Sequence, residues 1–292
     1  MVDFCGIEEG DPVKIRWQYV LGLLVACALG VSAATLDGMK IHSAVAGTGP
    51  KTVILVHGWT CDSTSWSEQV PALEKKYRVV TLDLPGHGKS DAPKDGKYSM
   101  ELFARAIESV RAETKADRVV LVGHSMGTPV IVEYARLYPQ HTAALVFADG
   151  VTPGITPPAA AGTAPSHPGD AMQGPDGRKN REAMIDGLFT PQTSPAIQAK
   201  VRAMMLTPSD ATAAGAMNAT FDPGGQFTSG TIDVPVLAIY AGHSRLENPD
   251  YLHAHYTHVE ITKIPDTGHF LMLEKPDAFN KLVVDFLAKQ NF

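Results

Sequence analysis

The chain has 292 residues, 44% hydrophobic and 19% charged, a globular composition that excludes a disordered protein. That length suits one large α/β domain with room for an inserted subdomain. The net charge of −6 is spread along the chain without a block of Lys and Arg, which disfavours nucleic-acid binding, since neutralising phosphates needs clustered cations.

The amino-terminal stretch has the pattern of an export signal. Lys14 and Arg16 precede an apolar run over residues 19–31, followed by the small residues Ser32, Ala33 and Ala34. The run is shorter than the ~20 residues a spanning helix needs. Two processing routes are open. Cleavage after Ala33 or Ala34 gives a secreted or periplasmic protein, whereas Leu24-Val25-Ala26-Cys27 resembles a lipobox that would lipidate Cys27 and tie the protein to the envelope membrane. Asp3, Glu8, Glu9 and Asp11 are atypical of a signal's leading region, which also leaves a later start open. Residues 1–34 are therefore assigned to the signal. Cys5, Cys27 and Cys61 provide neither a disulfide framework nor a zinc spacing.

Beyond the signal, residues 36–45 read as one amphipathic strand and residues 47–50 as a turn. Residues 51–56 form a nearly continuous apolar run, as in a strand covered on both faces, ending at His57-Gly58-Trp59. A helix is expected over 68–76 and a strand over 77–82, leading into the glycine-rich loop Asp83-Leu84-Pro85-Gly86-His87-Gly88-Lys89-Ser90. Ser99 is a cap for a helix whose positions 102, 103, 106, 107 and 110 share one apolar face. Strand 118–122 follows, then a helix over 128–137 stopped by Pro139, then strand 143–148 ended by Asp149-Gly150.

Composition shifts over residues 151–232, which are rich in Pro, Gly, Ala, Thr and Met, with helical pieces at 181–189, 196–206 and 210–219 and a linker-like stretch over 156–178. An insertion of this kind reads as a mainly helical cap over the active face. Strands at 234–240 and 259–264 resume the alternation, and a helix with Pro276 at its start closes the chain. The core is thus expected over 35–150 and 233–292, as an α/β fold with a mostly parallel sheet covered on both faces.

Residues 119–127, Val-Val-Leu-Val-Gly-His-Ser-Met-Gly, join a buried strand to a helix through Gly-x-Ser-x-Gly. This is the context of a nucleophile elbow, in which Ser125 stands on a tight turn with small residues letting the backbone pass. The helix N-terminus beside it favours a developing oxyanion.

Ser125 in this motif, His57-Gly58 after its strand, the 83–90 loop and Thr267-Gly268-His269-Phe270 come in an order that resembles the α/β-hydrolase family, over about residues 36–150 and 232–290. The resemblance implies the α/β-hydrolase fold and an acyl-transfer site without a metal or other cofactor. Ser125 would be the nucleophile and His269 the base, its imidazole taking and returning the serine proton. The backbone N–H groups of Trp59 and Met126 would form the oxyanion hole. The acid is less direct. The loop where relatives commonly carry it, residues 241–250, has no carboxylate at the expected place near Arg245. Asp149, at the end of the strand after the nucleophile helix, is the leading candidate, with Glu247 and Asp250 as alternatives.

His57 and the 83–90 loop read as supports for the elbow, and His124 as a residue packing aside from it. Trp59, Met126 and Phe270 could wall an acyl pocket, with Trp66, Met184, Phe189, Met204 and Met205 either contributing or serving as core. His253, His255 and His258 do not share a helical face and read as a solvated helix end. The resulting expectation is an exported serine hydrolase of small carboxylic esters. Lactone, amide or carbon–carbon bond hydrolysis with the same triad, or a non-catalytic ligand-binding relative, are the alternatives.

Overall fold

The computed structural model describes residues 30–153, 167–222 and 230–292. Residues 1–29, which carry most of the expected signal and Cys27, lie outside the described residues.

The chain opens with β1 (Gly30–Leu36) and β2 (Met39–Ala46), joined at Asp37-Gly38. The single strand expected over 36–45 is therefore a hairpin. Asp37 (φ 48°) and Gly38 (φ 77°) both take left-handed backbone, as a two-residue hairpin turn whose twist matches its strands requires. The registers Ala33↔His42 and Ala34↔Ile41 run through the small residues named above as a cleavage site.

Next come β3 (Thr52–Val56), a short α1 (Val70–Leu73) and β4 (Arg78–Leu82). The helix expected over 68–76 is shorter than its pattern. A 3-10 turn at Ser63–Trp66, capped by the Asp62 carboxylate, takes up the connection first. Then follow α2 (Met100–Glu113), with Ser99 as its cap, β5 (Val119–His124), α3 (Gly127–Leu137) and β6 (Thr142–Ala148).

The insertion holds α4 (Gly177–Asp186), α5 (Pro195–Met205) and α6 (Asp210–Phe221). The core closes with β7 (Ile232–Ala241), α7 (Pro249–His255), β8 (Tyr256–Ile264), α8 (Leu271–Glu274) and α9 (Pro276–Lys289), which begins at Pro276 as expected.

The strands form one eight-stranded sheet in the order β1-β2-β4-β3-β5-β6-β7-β8. The hairpin and β2–β4 pair antiparallel, and every later pair is parallel. The side chains of β3 and β5 are buried throughout, because helices cover both faces of the central sheet. All carboxyl ends of the parallel strands therefore open on one edge, where ligands of open α/β sheets bind.

The insertion is fastened to loops at that edge. Trp59 Nε1 donates to the carbonyl of Ala213 at 2.7 Å, and the Tyr98 and Thr212 hydroxyls lie 2.9 Å apart. Lys200 Nζ reaches the Ser67 hydroxyl at 2.6 Å. Each contact joins a residue of α5 or α6 to one of the loops that follow β3 and β4.

Candidate active site

Ser125 follows β5 directly and has φ 53°, a left-handed conformation that a serine holds only at a cost of about 1–3 kcal/mol. Its main chain is fixed on both sides. Its N–H donates to the carbonyl of Ala148 at 3.0 Å, and its carbonyl accepts from the N–H groups of Thr128 (3.0 Å) and Val151 (3.3 Å). The flanking glycines are steric requirements. A Cβ at Gly123 would lie 2.5 Å from the carbonyl oxygen of Gly127, and one at Gly127 2.5 Å from that of Val56. The strand end, the turn and α3 thus pass too close for any side chain there.

Asp149 follows β6 directly and also takes left-handed backbone, φ 44°. Its carboxylate is buried and accepts from His269 Nδ1 at 2.7 Å and from the Ala241 N–H at 3.1 Å. Burial pushes its carboxyl up, but the hydrogen bond and charge of His269, the Ser244 hydroxyl and the Ala241 amide outweigh this, so it lies below its ordinary value. A carboxylate can only accept, so Nδ1 of His269 carries the proton and Nε2 is left with a lone pair. That is the tautomer a general base needs.

The loop bearing His269 is tied down locally. The Thr267 hydroxyl donates to the Ile264 carbonyl at 2.6 Å and accepts from the Gly242 N–H at 3.1 Å. Gly268 N–H donates to Glu274 Oε2 at 2.9 Å. The insertion reaches the same loop, where the Leu188 carbonyl accepts the His269 N–H at 3.2 Å. His269 is nearly covered, its side chain 12% exposed.

The structure thus brings Ser125, Asp149 and His269 to one edge of the sheet. The competing acids are engaged elsewhere. Glu247 pairs with Lys263 Nζ at 2.6 Å, and Asp250 sits in the first turn of α7, where a negative charge faces the positive end of the helix. Neither the Trp59 nor the Met126 backbone N–H donates to an acceptor among the described residues. Gly58, beside Trp59, is close to the elbow: a Cβ there would lie 3.0 Å from the Ser125 Cβ.

His57 is a support. Its Nδ1 donates to the Gly58 carbonyl at 2.8 Å and its Nε2 accepts the Leu84 N–H at 2.9 Å. Burial lowers its pKa, keeping the ring neutral for that double role. In the 83–90 loop the Asp83 carboxylate accepts from the N–H groups of Ser63 (2.8 Å) and Lys89 (2.9 Å), linking the loops after β3 and β4.

The packing places the remaining candidates, most of them in the core. Trp66 is fully buried against Phe279 and belongs to the core, as do Met126 and Phe270. Met204 and Met205 are buried as well, while Met184 and Phe189 are partly covered. Trp59 uses its indole N–H to hold the insertion. His124 does not pack aside: its Nε2 meets the His269 carbonyl at 2.9 Å. His253 and His255 lie on α7 and His258 on β8, and among the described residues no group of His, Cys, Asp and Glu is arranged to hold a metal ion. Ser244, the Ala241 amide and the Leu188 carbonyl are parts of the site that the sequence reading missed. No local pattern marks them, since each acts through a residue distant in the chain.

Comparison with known proteins agrees with this architecture. A family model described as the alpha/beta hydrolase fold matches residues 51–188. A 2-hydroxy-6-oxononadienedioate/2-hydroxy-6-oxononatrienedioate hydrolase of Klebsiella pneumoniae is 30% identical over 266 residues, covering 86% of this chain and 92% of the relative. Among solved structures, a thermophilic esterase from Thermogutta terrifontis superposes with a TM-score of 0.75 at 23% identity, over 90% of this chain and 99% of that one. The enol-lactonase from Burkholderia xenovorans LB400 does so with a TM-score of 0.73 at 24% identity, over 88% and 100%. With its strand order, its elbow serine and a relative matched almost end to end, the chain is a hydrolase and belongs to the α/β-hydrolase fold family.

Proposed function

We propose that the protein is a serine hydrolase of carboxylic esters that works through an acyl-enzyme. The observation that carries this reading is the Asp149–His269 hydrogen bond, formed at the edge of the sheet where the elbow presents Ser125. His269 Nε2 takes the Ser125 proton as the hydroxyl oxygen attacks the substrate carbonyl. The Trp59 and Met126 amides stabilise the oxyanion, and His269 returns the proton to the leaving alkoxide. Water then attacks the acyl-enzyme with His269 again as base. Asp149 holds the imidazole and stabilises its charged form without itself being protonated. Relatives that open epoxides or displace halides place a carboxylate at the elbow, because their ester intermediate must be one that water can split; a serine there favours acyl transfer.

A second reading, carbon–carbon bond hydrolysis, is favoured by the Klebsiella relative: its name gives a hydrolase of an oxo-dienedioate, a compound with no ester or amide bond to cleave. The same triad serves either chemistry, since the fold does not fix the substrate. The deciding experiment has two parts. A fluorophosphonate probe should label the wild type and leave Ser125→Ala unlabelled; an unlabelled wild type overturns both readings. Rates on p-nitrophenyl acetate and butyrate are then set against those on 2-hydroxy-6-oxononadienedioate. A preference in kcat/KM for the dienedioate selects carbon–carbon hydrolysis, and a preference for the esters upholds the proposal.

A further inference from the structure

His124 ends β5, one residue before Ser125, and its ring is buried. A carbonyl can only accept, so its 2.9 Å contact with the His269 carbonyl places the His124 proton on Nε2. Nδ1 then keeps a lone pair, and it is buried without a partner among the described residues. Burial, reinforced by the neighbouring His269, lowers His124 to about 3, so the ring is neutral wherever His269 can serve as a base.

The ring has little room to turn. The His269 imidazole lies 4.7 Å from it and the Phe270 ring 4.9 Å, centroid to centroid. Trp66 stands edge-on at 6.4 Å, and a Cβ on Gly58 would come within 3.1 Å of Nδ1. His269 itself is gripped from several directions: by Asp149 at the ring, by Leu188 at the N–H and by His124 at the carbonyl. Of these anchors, His124 is the one on the strand that carries Ser125.

We propose that His124 is a positioning residue: its Nε2–H clamps the His269 main chain to the end of β5 and so sets the base against the Ser125 hydroxyl. This role rests on the assignment of Ser125 and His269 as nucleophile and base. Its physical basis is the tolerance of proton transfer, where a misplacement of about 1 Å can cost about 10²-fold in rate. Asp149 orients the imidazole ring, whereas His124 fixes the backbone from which that ring hangs.

The test compares His124→Phe, which fills the space without the donor, with His124→Gln, whose amide nitrogen stands as many bonds from Cβ as Nε2 does. The readouts are the fluorophosphonate labelling rate at Ser125, kcat and KM on p-nitrophenyl butyrate, and the melting temperature. Folded His124→Phe should label and turn over about 10–100-fold more slowly with KM little changed, and His124→Gln should recover most of the loss. A wild type that is not labelled refutes the nucleophile–base assignment. A labelled wild type matched in rate by His124→Phe refutes the positioning role instead, as does a folded His124→Gln no better than His124→Phe. Nitrogen-15 NMR of the wild-type histidines decides the matter if His124→Phe does not fold. A neutral Nε2–H tautomer of His124 between pH 6 and 8 supports the clamp, and an Nδ1–H or charged ring overturns it.

Discussion

Asp149 Oδ2 lies 2.7 Å from Nδ1 of His269, although 120 positions separate the two residues. The carboxylate thus comes from just after β6, and the end of β7 and the loop that follows supply its partners: the Ala241 N–H at 3.1 Å and the Ser244 hydroxyl, which helps to hold the carboxyl low. An acid placed at the end of one strand is solvated by the end of the next.

Replacing Asp149 by Asn should lower kcat on p-nitrophenyl butyrate by about 10³–10⁴-fold, because a neutral amide neither fixes the Nδ1–H tautomer nor stabilises the imidazolium. Glu247→Gln and Asp250→Asn should stay within about twofold of wild type, since Glu247 serves an ion pair with Lys263 and Asp250 a helix N-terminus. A large loss in either of those variants would move the acid away from Asp149.

Ser125→Gly should be more stable than Ser125→Ala by about 1 kcal/mol. Both lack the nucleophile, but at φ 53° glycine escapes a steric cost that alanine keeps. Urea midpoints of the two inactive variants measure the difference, and equal midpoints would mean the turn is relaxed.

Acid should destabilise the fold before most carboxylates titrate. His57, His87 and His124 are buried with lowered pKa values, His87 and His124 at about 3, chiefly through desolvation. The unfolded chain binds protons at these positions as pH falls below about 6.5, while the folded chain binds fewer there. Stability is therefore lost as pH falls, at up to about 1.4 kcal/mol per pH unit for each ring. Urea midpoints between pH 7 and 5 check this. His87→Asn, which can still donate to the Pro85 carbonyl as Nδ1 does at 3.0 Å, should flatten the slope by one ring's share.

Trp59→Phe should loosen the insertion. The lost bond to the Ala213 carbonyl is buried, so the variant should be less stable by about 1–3 kcal/mol and its insertion cut sooner by a protease. Unchanged proteolysis of residues 167–222 would show that the Tyr98–Thr212, Lys200–Ser67 and Leu188–His269 contacts suffice without it.

Much of this protein is written locally. Apolar runs set β3, β5 and β6, Ser99 caps α2, Pro276 starts α9, and the Gly-x-Ser-x-Gly turn marks Ser125, because burial period, capping and steric size act within a few residues of chain. The hairpin turn at Asp37-Gly38 is also a local signal, but the alternating apolar residues after it make residues 36–45 read as one strand.

The tertiary structure decided the rest. Which of Asp149, Glu247 and Asp250 meets His269, that the Leu188 carbonyl takes the His269 N–H, and that His124 grips the same residue at its carbonyl all depend on strands β5, β6, β7 and β8 lying side by side. A sequence pattern fixes where a strand ends, but the partner met at that end is set by strand order and register, which long-range packing selects.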